Sequence, residues 1–240
     1  MIAAVINVSP KEYKRVEENL LWCVEMGMPK HQACVIHSEP IINTAKLQQI
    51  AAECFDTVYS SSYPEYKGDS RWPRVQNYAF QTAAIWMLES GLNLPWFWWE
   101  PDGIPLVPDW LGQIEDEYYG AGKPWMGKFM YGITFTKWIH VNGNLVAPPD
   151  APVSCPRVIT CGLEEAWDWA AGPDMVPIAH DTKLISNIWT LTKAGLPSQM
   201  EGDTPVFKTW EDYLKVHEEG VVYHHRDKTG SLIPLLRQQL

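Results

Sequence analysis

No stretch of this 240-residue chain is apolar enough to cross a bilayer. The longest such run, around Leu94 to Trp99, falls far short of the roughly 20 residues a spanning helix needs. The first residues, Met1 to Val8 and then Ser9-Pro10-Lys11-Glu12, have neither the basic region nor the cleavage site of a secretory signal. The expectation is a soluble, cytoplasmic protein. Cys-x-x-Cys pairs are also missing. The five cysteines, at 23, 34, 54, 155 and 161, are an odd number, which argues for reduced thiols and against a disulfide framework or a zinc knuckle. Cys23, Cys34 and Cys54 sit in apolar patterns, where a buried thiol is expected. Internal repeats, low-complexity tracts and linkers are absent, so one domain over residues 1–240 is the simplest organisation. Positive charge is scarce: 19 Lys and Arg stand against 29 Asp and Glu, for a net charge of -10 and a pI near 5.1. Such a chain is a poor general binder of phosphate backbones, because nonspecific nucleic-acid affinity comes from cations that displace counterions. A nucleic-acid role would need a local basic groove.

Phenylalanine is sparse and tryptophan abundant, 6 against 13. Trp rings offer stacking surfaces for flat or ring-shaped ligands, although packing in the core is the commoner use of any single ring. With 46% hydrophobic and 20% charged residues, the chain has the composition of a globular protein rather than a disordered one.

Along the first half, short apolar strands alternate with amphipathic helices. Ile2-Ala3-Ala4-Val5-Ile6 reads as a buried strand ending in Asn7, and Ser9-Pro10 as a helix start. From Lys11 to Met26, Tyr13, Val16, Leu20, Cys23 and Val24 recur at helical spacing, and Gly27 stops the helix. The alternation continues with a strand over Ala33 to His37, a helix over Thr44 to Cys54 and a strand over Thr57 to Tyr59. A loop from Ser60 to Arg71 precedes a helix from about Pro73 to Glu89, and Leu94 to Trp99 reads as a further strand. Parallel strands need crossovers, so this pattern implies a mostly parallel, Rossmann-like α/β sheet with helices on both faces. Residues 1–106 are then a nucleotide-binding half and 107–240 an acceptor half. In the second half a helix follows Pro108-Asp109 and stops near Gly120. Trp138 to Val141, Asn142-Gly143 and Leu145-Val146 read as a β-hairpin with a tight turn. Helices are expected over Thr182 to Lys193 and Thr209 to Glu218, and a strand over Val221 to His225 precedes a short tail helix.

Glu100-Pro101-Asp102 is the sharpest local feature. Two carboxylates one residue apart at the C-terminal end of a buried strand lie where open α/β sheets place their ligands. Hard oxygen ligands of this kind suit Mg2+ or Mn2+ on a diphosphate. His224-His225 follows a strand and can complete a metal shell. Lys228 and the Gly230-Ser231 backbone at the start of the last helix can hold phosphate oxygens. Arg74 and Asn77 open the helix before the acidic strand. Trp96, Trp98 and Trp99 can line the crevice, although alternation on a central strand sends at least one into the core. His180-Asp181-Thr182 reads as a helix N-cap.

Together these elements resemble a GT-A glycosyltransferase. The blocks Trp98-Trp99-Glu100-Pro101-Asp102-Gly103-Ile104-Pro105-Leu106, Pro108-Asp109-Trp110-Leu111, Gly122-Lys123-Pro124-Trp125-Met126-Gly127 and His225-Arg226-Asp227-Lys228-Thr229-Gly230-Ser231-Leu232 resemble a group of phage-type, DNA base-modifying glycosyltransferases. The acid-x-acid element departs from that pattern, with Glu first and Pro in the middle, and Thr229 stands where an acidic residue is expected. The resemblance implies that Asn7 meets the nucleotide base and that Arg74 and Asn77 lie near the base or sugar. It makes Asp102 a metal ligand, with Glu100 on the ribose or a metal-bound water, His225 or His224 the far-side ligand, and Lys228 and Ser231 on the diphosphate. It further implies a nucleotide-sugar donor, expected to be a UDP-sugar, Mn2+ or Mg2+ as cofactor, and an acceptor such as a hydroxymethylated pyrimidine in DNA. The base of an inverting reaction is assigned to Asp168, with Asp174, Asp181 and Glu164 as alternatives. Two other readings share these features: a nucleotidyltransferase acting on sugar phosphates, which would release pyrophosphate, and a non-catalytic carbohydrate- or nucleotide-binding module. Glycoside hydrolysis suits the chain less, since it needs carboxylates on opposite sides of the scissile bond.

Overall fold

The computed structural model describes residues 1–68, 71–131, 138–187, 200–201, 204–225 and 227–240. Its frame is a seven-stranded sheet in the order β3-β2-β1-β4-β7-β6-β8. The strands are β1 (Ala3–Val8), β2 (His31–Ser38), β3 (Phe55–Ser62), β4 (Trp96–Trp99), β6 (Trp125–Met130), β7 (His140–Ala147) and β8 (Ala179–Asp181). The first four are parallel to one another, β7 runs antiparallel to β4 and β6, and β8 is parallel to β6. The mostly parallel α/β sheet expected from the sequence is thus present. It runs without a break from the first half of the chain into the second.

Alternation along the central strands divides the core between two faces. Ala4, Ile6, Val8, Phe97 and Trp99 face a layer that includes α1 (Tyr13–Glu25), α2 (Ala45–Cys54) and α4 (Trp110–Ala121). Ala3, Val5, Trp96 and Trp98 face α3 (Arg74–Glu89), two single-turn helices α5 (Ala151–Ser154) and α6 (Arg157–Thr160), and α7 (Trp167–Met175). Trp96, Trp98 and Trp99 are all buried, at 2% exposure or less. All three are therefore core side chains, and the expectation that they line a crevice is corrected: a strand sandwiched between two helical layers has no open face.

A smaller sheet, in the order β5-β12-β9, closes the first of these layers. It joins β5 (Ile104–Pro105), β9 (Ile185–Asn187) and β12 (Tyr223–His225). Beside it lie α8 (Trp210–Leu214) and α9 (Leu232–Arg237), and a two-stranded ribbon pairs β10 (Met200–Glu201) with β11 (Thr204–Pro205). No helix among the described residues is long and apolar enough to cross a membrane.

Three local expectations are corrected. Asn142-Gly143 is no hairpin turn but the middle of β7. There Gly127↔Leu145 is followed by Phe129↔Val141, so three residues of β7 oppose one of β6 in a bulge. The helix expected over 182–193 is instead β9 at 185–187, its remainder from 188 lying outside the described residues. Thr182 consequently caps no helix; its hydroxyl accepts the Leu184 amide in a local turn. The helix expected over 209–218 shortens to α8, where the Thr209 hydroxyl accepts the Asp212 amide as a true N-cap.

Candidate active site

The site is built on the turn that leaves β4. Glu100, Pro101, Asp102 and Gly103 form a β-turn closed by the Gly103 amide on the Glu100 carbonyl at 3.0 Å. Proline suits the second position of such a turn and glycine the fourth. Neighbouring elements fix the turn. Asn19 of α1 donates to the carbonyls of Pro101 and Gly103 at 2.9 and 3.2 Å. The Trp99 indole donates to Gly103 at 3.0 Å, and the Asp227 amide donates to the Asp102 carbonyl at 2.9 Å. The β7 bulge has its purpose here: Asn144 accepts the Glu100 amide at 3.1 Å and donates to the Glu100 carboxylate at 3.1 Å. An inserted residue re-aims a side chain in this way where a regular strand would send it elsewhere. Gly103 is required by close approach, because a Cβ there would lie 1.7 Å from the Tyr223 hydroxyl. That hydroxyl is itself anchored on Asn144 at 2.7 Å.

Held this way, Glu100, Asp102 and His225 each offer one ligand atom to a common point, the atoms lying within 4.8 Å of one another. His225 Nε2 is 2.9 Å from Glu100 Oε2 and 3.3 Å from Asp102 Oδ1. Burial of the ring opposes its charged form, but Asp102 and then Glu100 outweigh it and push the imidazole up to about 9. A proton thus stands where two carboxylates ask for positive charge. Two hard oxygens and an imidazole, nearly buried at the end of a strand, are a donor set that fits Mg2+ or Mn2+.

His224 points the opposite way. Its Nδ1 meets the Ser186 hydroxyl at 2.9 Å, and its ring packs on Phe207 and Tyr213. Burial, then the neighbouring His225, drives it down to about 3. The expectation of His224 as a ligand is corrected, since successive strand residues face opposite sides.

Asp168 opens α7, where its carboxylate accepts the Trp169 amide at 3.1 Å. Burial first and Glu100 second raise it to about 7, while His225 pulls it down, so it feels the same cluster. The alternatives lie elsewhere. Asp174 pairs with Arg157 at 2.8 Å, Glu164 is an exposed partner of Arg74, and Asp181 accepts the Phe129 amide and the Tyr131 hydroxyl.

The other expected residues are placed as follows. Asn7, at the end of β1, accepts the Tyr63 hydroxyl at 3.3 Å. Arg74 reaches Glu164 at 2.6 Å. Asn77 is fully buried, and its amide is taken up by backbone: it donates to the carbonyls of Gly162 and Glu165 and accepts the Trp167 amide. Lys228 is exposed, and its carbonyl accepts the Arg15 guanidinium. Ser231 is not a phosphate cradle either, because its amide and that of Leu232 already donate to the Asp227 carboxylate at 3.1 and 3.0 Å. An internal anion occupies the helix start that an external one would use. Arg226 lies outside the described residues.

Sequence reasoning missed Asn19, Asn144 and Glu12. The Glu12 carboxyl, bonded by Ser9 at 2.7 Å, is raised by burial and by the charges of Asp102 and Glu100. Nothing local marks these residues, which act across the fold.

No protein-family model and no curated protein matches the chain. Solved structures do. The apo form of mouse xyloside xylosyltransferase 1 superposes with a TM-score of 0.55 at 8% identity, over 95% of this chain and 98% of that one. The apo glycosyltransferase GlyE of Streptococcus pneumoniae TIGR4 gives 0.56 at 11% identity, over 99% and 59%. The apo bifunctional glycosyltransferase WbbM gives 0.54 at 10% identity, over 94% and 45%. The chain therefore spans nearly all of the first and well under two thirds of the other two. These likenesses define the fold as that of GT-A glycosyltransferases, as the sequence resemblance implied.

Proposed function

We propose that the protein is a glycosyltransferase that requires Mg2+ or Mn2+ and moves a sugar from a nucleotide donor, expected to be a UDP-sugar, to an acceptor hydroxyl. One observation carries the reading: on a GT-A fold, Glu100, Asp102 and His225 converge at the end of β4 and Asp168 is electrostatically coupled to them. Asp102 and His225 would hold the cation, with Glu100 beside them toward the ribose or a bound water. The chemistry a divalent ion supplies at such a site is neutralisation of charge on a departing diphosphate. Asn7 would meet the base at the open end of β1, Arg74 would lie near the sugar, and the exposed Lys228 ammonium would face the diphosphate.

In the reaction, the acceptor oxygen bonds to the anomeric carbon as the bond from that carbon to the phosphate oxygen breaks. The electron pair leaves with the nucleoside diphosphate, and the hydroxyl proton passes to Asp168 in an inverting displacement. Raised to about 7, the Asp168 carboxyl is half ionised at neutral pH and matched to accepting a proton there. A hydroxymethylated pyrimidine in DNA as acceptor rests on the phage-type resemblance alone, and the net charge of -10 argues against holding a strand.

Incubation with UDP-glucose, UDP-galactose, UDP-xylose and UDP-N-acetylglucosamine in Mn2+ should release UDP without pyrophosphate. Pyrophosphate would identify a nucleotidyltransferase, and binding without turnover a carbohydrate- or nucleotide-binding module. Proton NMR of the product should show an inverted anomeric centre; retention would remove Asp168 from the base role.

A further inference from the structure

We infer that Trp72 and Trp169 form a binding corner for a saccharide acceptor, a deepening that rests on the glycosyltransferase reading. The two rings lie 5.1 Å apart at 66°. Trp72 is 58% exposed just ahead of α3, and Trp169 is partly exposed on the first turn of α7. The exposed Trp72 and the half-buried Trp169 together offer aromatic surface to solvent, and the position of this pair gives that surface a use. Trp169 directly follows Asp168, whose carboxylate accepts its amide. A reacting hydroxyl must come within hydrogen-bond reach of its base, so groups flanking Asp168 are walls of the acceptor site.

The corner is held by rigid structure. Trp167, one residue before Asp168, stacks on Phe80 of α3 with ring centroids 3.5 Å apart and planes at 7°. Its amide is bound by the buried Asn77. Trp169 also packs against His140 of β7 at 6.0 Å. With Trp167 locked inward, Asp168 and Trp169 are presented by an element that has no freedom to turn.

Ring geometry and hydrogen-bonding capacity select the ligand class. Two planes at 66° give a floor and a wall, which suits the C–H face of a pyranose; a flat base stacks best on parallel planes. Asp168 and the exposed Glu165 on the same segment can accept hydrogen bonds from sugar hydroxyls, while Glu164 is held by Arg74.

Saturation-transfer difference NMR on the native protein, with methyl glycosides of glucose, galactose, xylose and N-acetylglucosamine as probes, tests the inference by binding. The comparison probe is 5-hydroxymethyl-2′-deoxycytidine. At least one glycoside should bind, with saturation strongest on its ring C–H protons. Its Kd should rise about tenfold in Trp72→Ala and recover to within about threefold of native in Trp72→Phe. Circular dichroism of Trp72→Ala should match the native protein, since the side chain is exposed. Absence of glycoside binding, an unchanged Kd in Trp72→Ala, or a preference for the deoxycytidine over every glycoside would each overturn the inference. Failure of the glycosyltransferase reading shows separately, as no UDP release by the native protein.

Discussion

His225 carries the tension of the site in one side chain. Two carboxylates raise its imidazole to about 9, so at neutral pH a proton holds the place that a cation would take. Metal ligation needs the neutral ring. Mn2+ binding at pH 7 should therefore release close to one proton per ion, and affinity should rise about tenfold per pH unit from pH 7 toward 9. Isothermal titration in two buffers of different ionisation enthalpy measures the proton directly; no release would mean that His225 stays outside the coordination shell. Asp168 is linked to the same event, because positive charge beside Glu100 removes part of what raises it. His224, one residue away, takes no part, since its Nδ1 is bonded to Ser186 and its ring is packed in the core.

Two elements deliver these residues, each fixed by side chains far away in sequence. The β-turn after β4 depends on Gly103, where a methyl group would meet the Tyr223 hydroxyl at 1.7 Å. Gly103→Ala should cost about 3 kcal/mol or more of stability, read as a lowered urea midpoint, and should weaken Mn2+ binding as Tyr223 and Asn144 shift. The start of α7 depends on Asn77, whose amide engages three backbone groups of the 162–167 segment. Asn77→Ala leaves those groups unpaired in the interior and should cost about 2 to 4 kcal/mol. It should lower kcat for UDP release through Asp168 while leaving KM for the UDP-sugar near native, whereas loss of a nucleotide contact by Asn77 would raise KM. Element by element, the sequence was legible where contacts are local. The strands read at 2–6, 33–37 and 94–99 stand out as apolar runs, and Glu100-Pro101-Asp102 stands out as paired carboxylates directly after the last of them. The β7 bulge was misread, because Asn142-Gly143 looks like a hairpin turn until the partner strand is known. Its role in aiming Asn144 at Glu100 depends on pairing with β6, which no window of sequence contains.

At the scale of the molecule, buried histidines set the pH range of stability. His37, His140 and His224 are held neutral by burial, at about 4, 4 and 3. Each contributes stability that is whole above its unfolded value near 6.5 and is lost as pH falls toward the folded value, because the unfolded chain then binds more protons. Asp168, raised to about 7, opposes this trend, as do Glu12 and Asp227, both raised by burial. His225 acts on the alkaline side: its contribution is whole below about 6.5 and disappears as pH rises through about 9. Urea midpoints should therefore peak near pH 6 to 7 and fall toward both pH 4 and pH 9. A midpoint that stays flat from 6.5 to 4 would contradict the neutral, buried state of the three histidines. The acidic balance noted at the level of composition is in part local, since Glu12, Glu100, Asp102 and Asp168 share one field. That field is what makes a cation site of the end of β4. Electron paramagnetic resonance of free Mn2+ during titration of the native chain, of Asp102→Asn and of the surface variant Asp174→Asn reads it most directly. One ion should bind per native chain and per Asp174→Asn chain, with affinity at least tenfold weaker in Asp102→Asn. Equal binding by Asp102→Asn and native protein, or none by either, would contradict the cation site on which the proposed transfer depends.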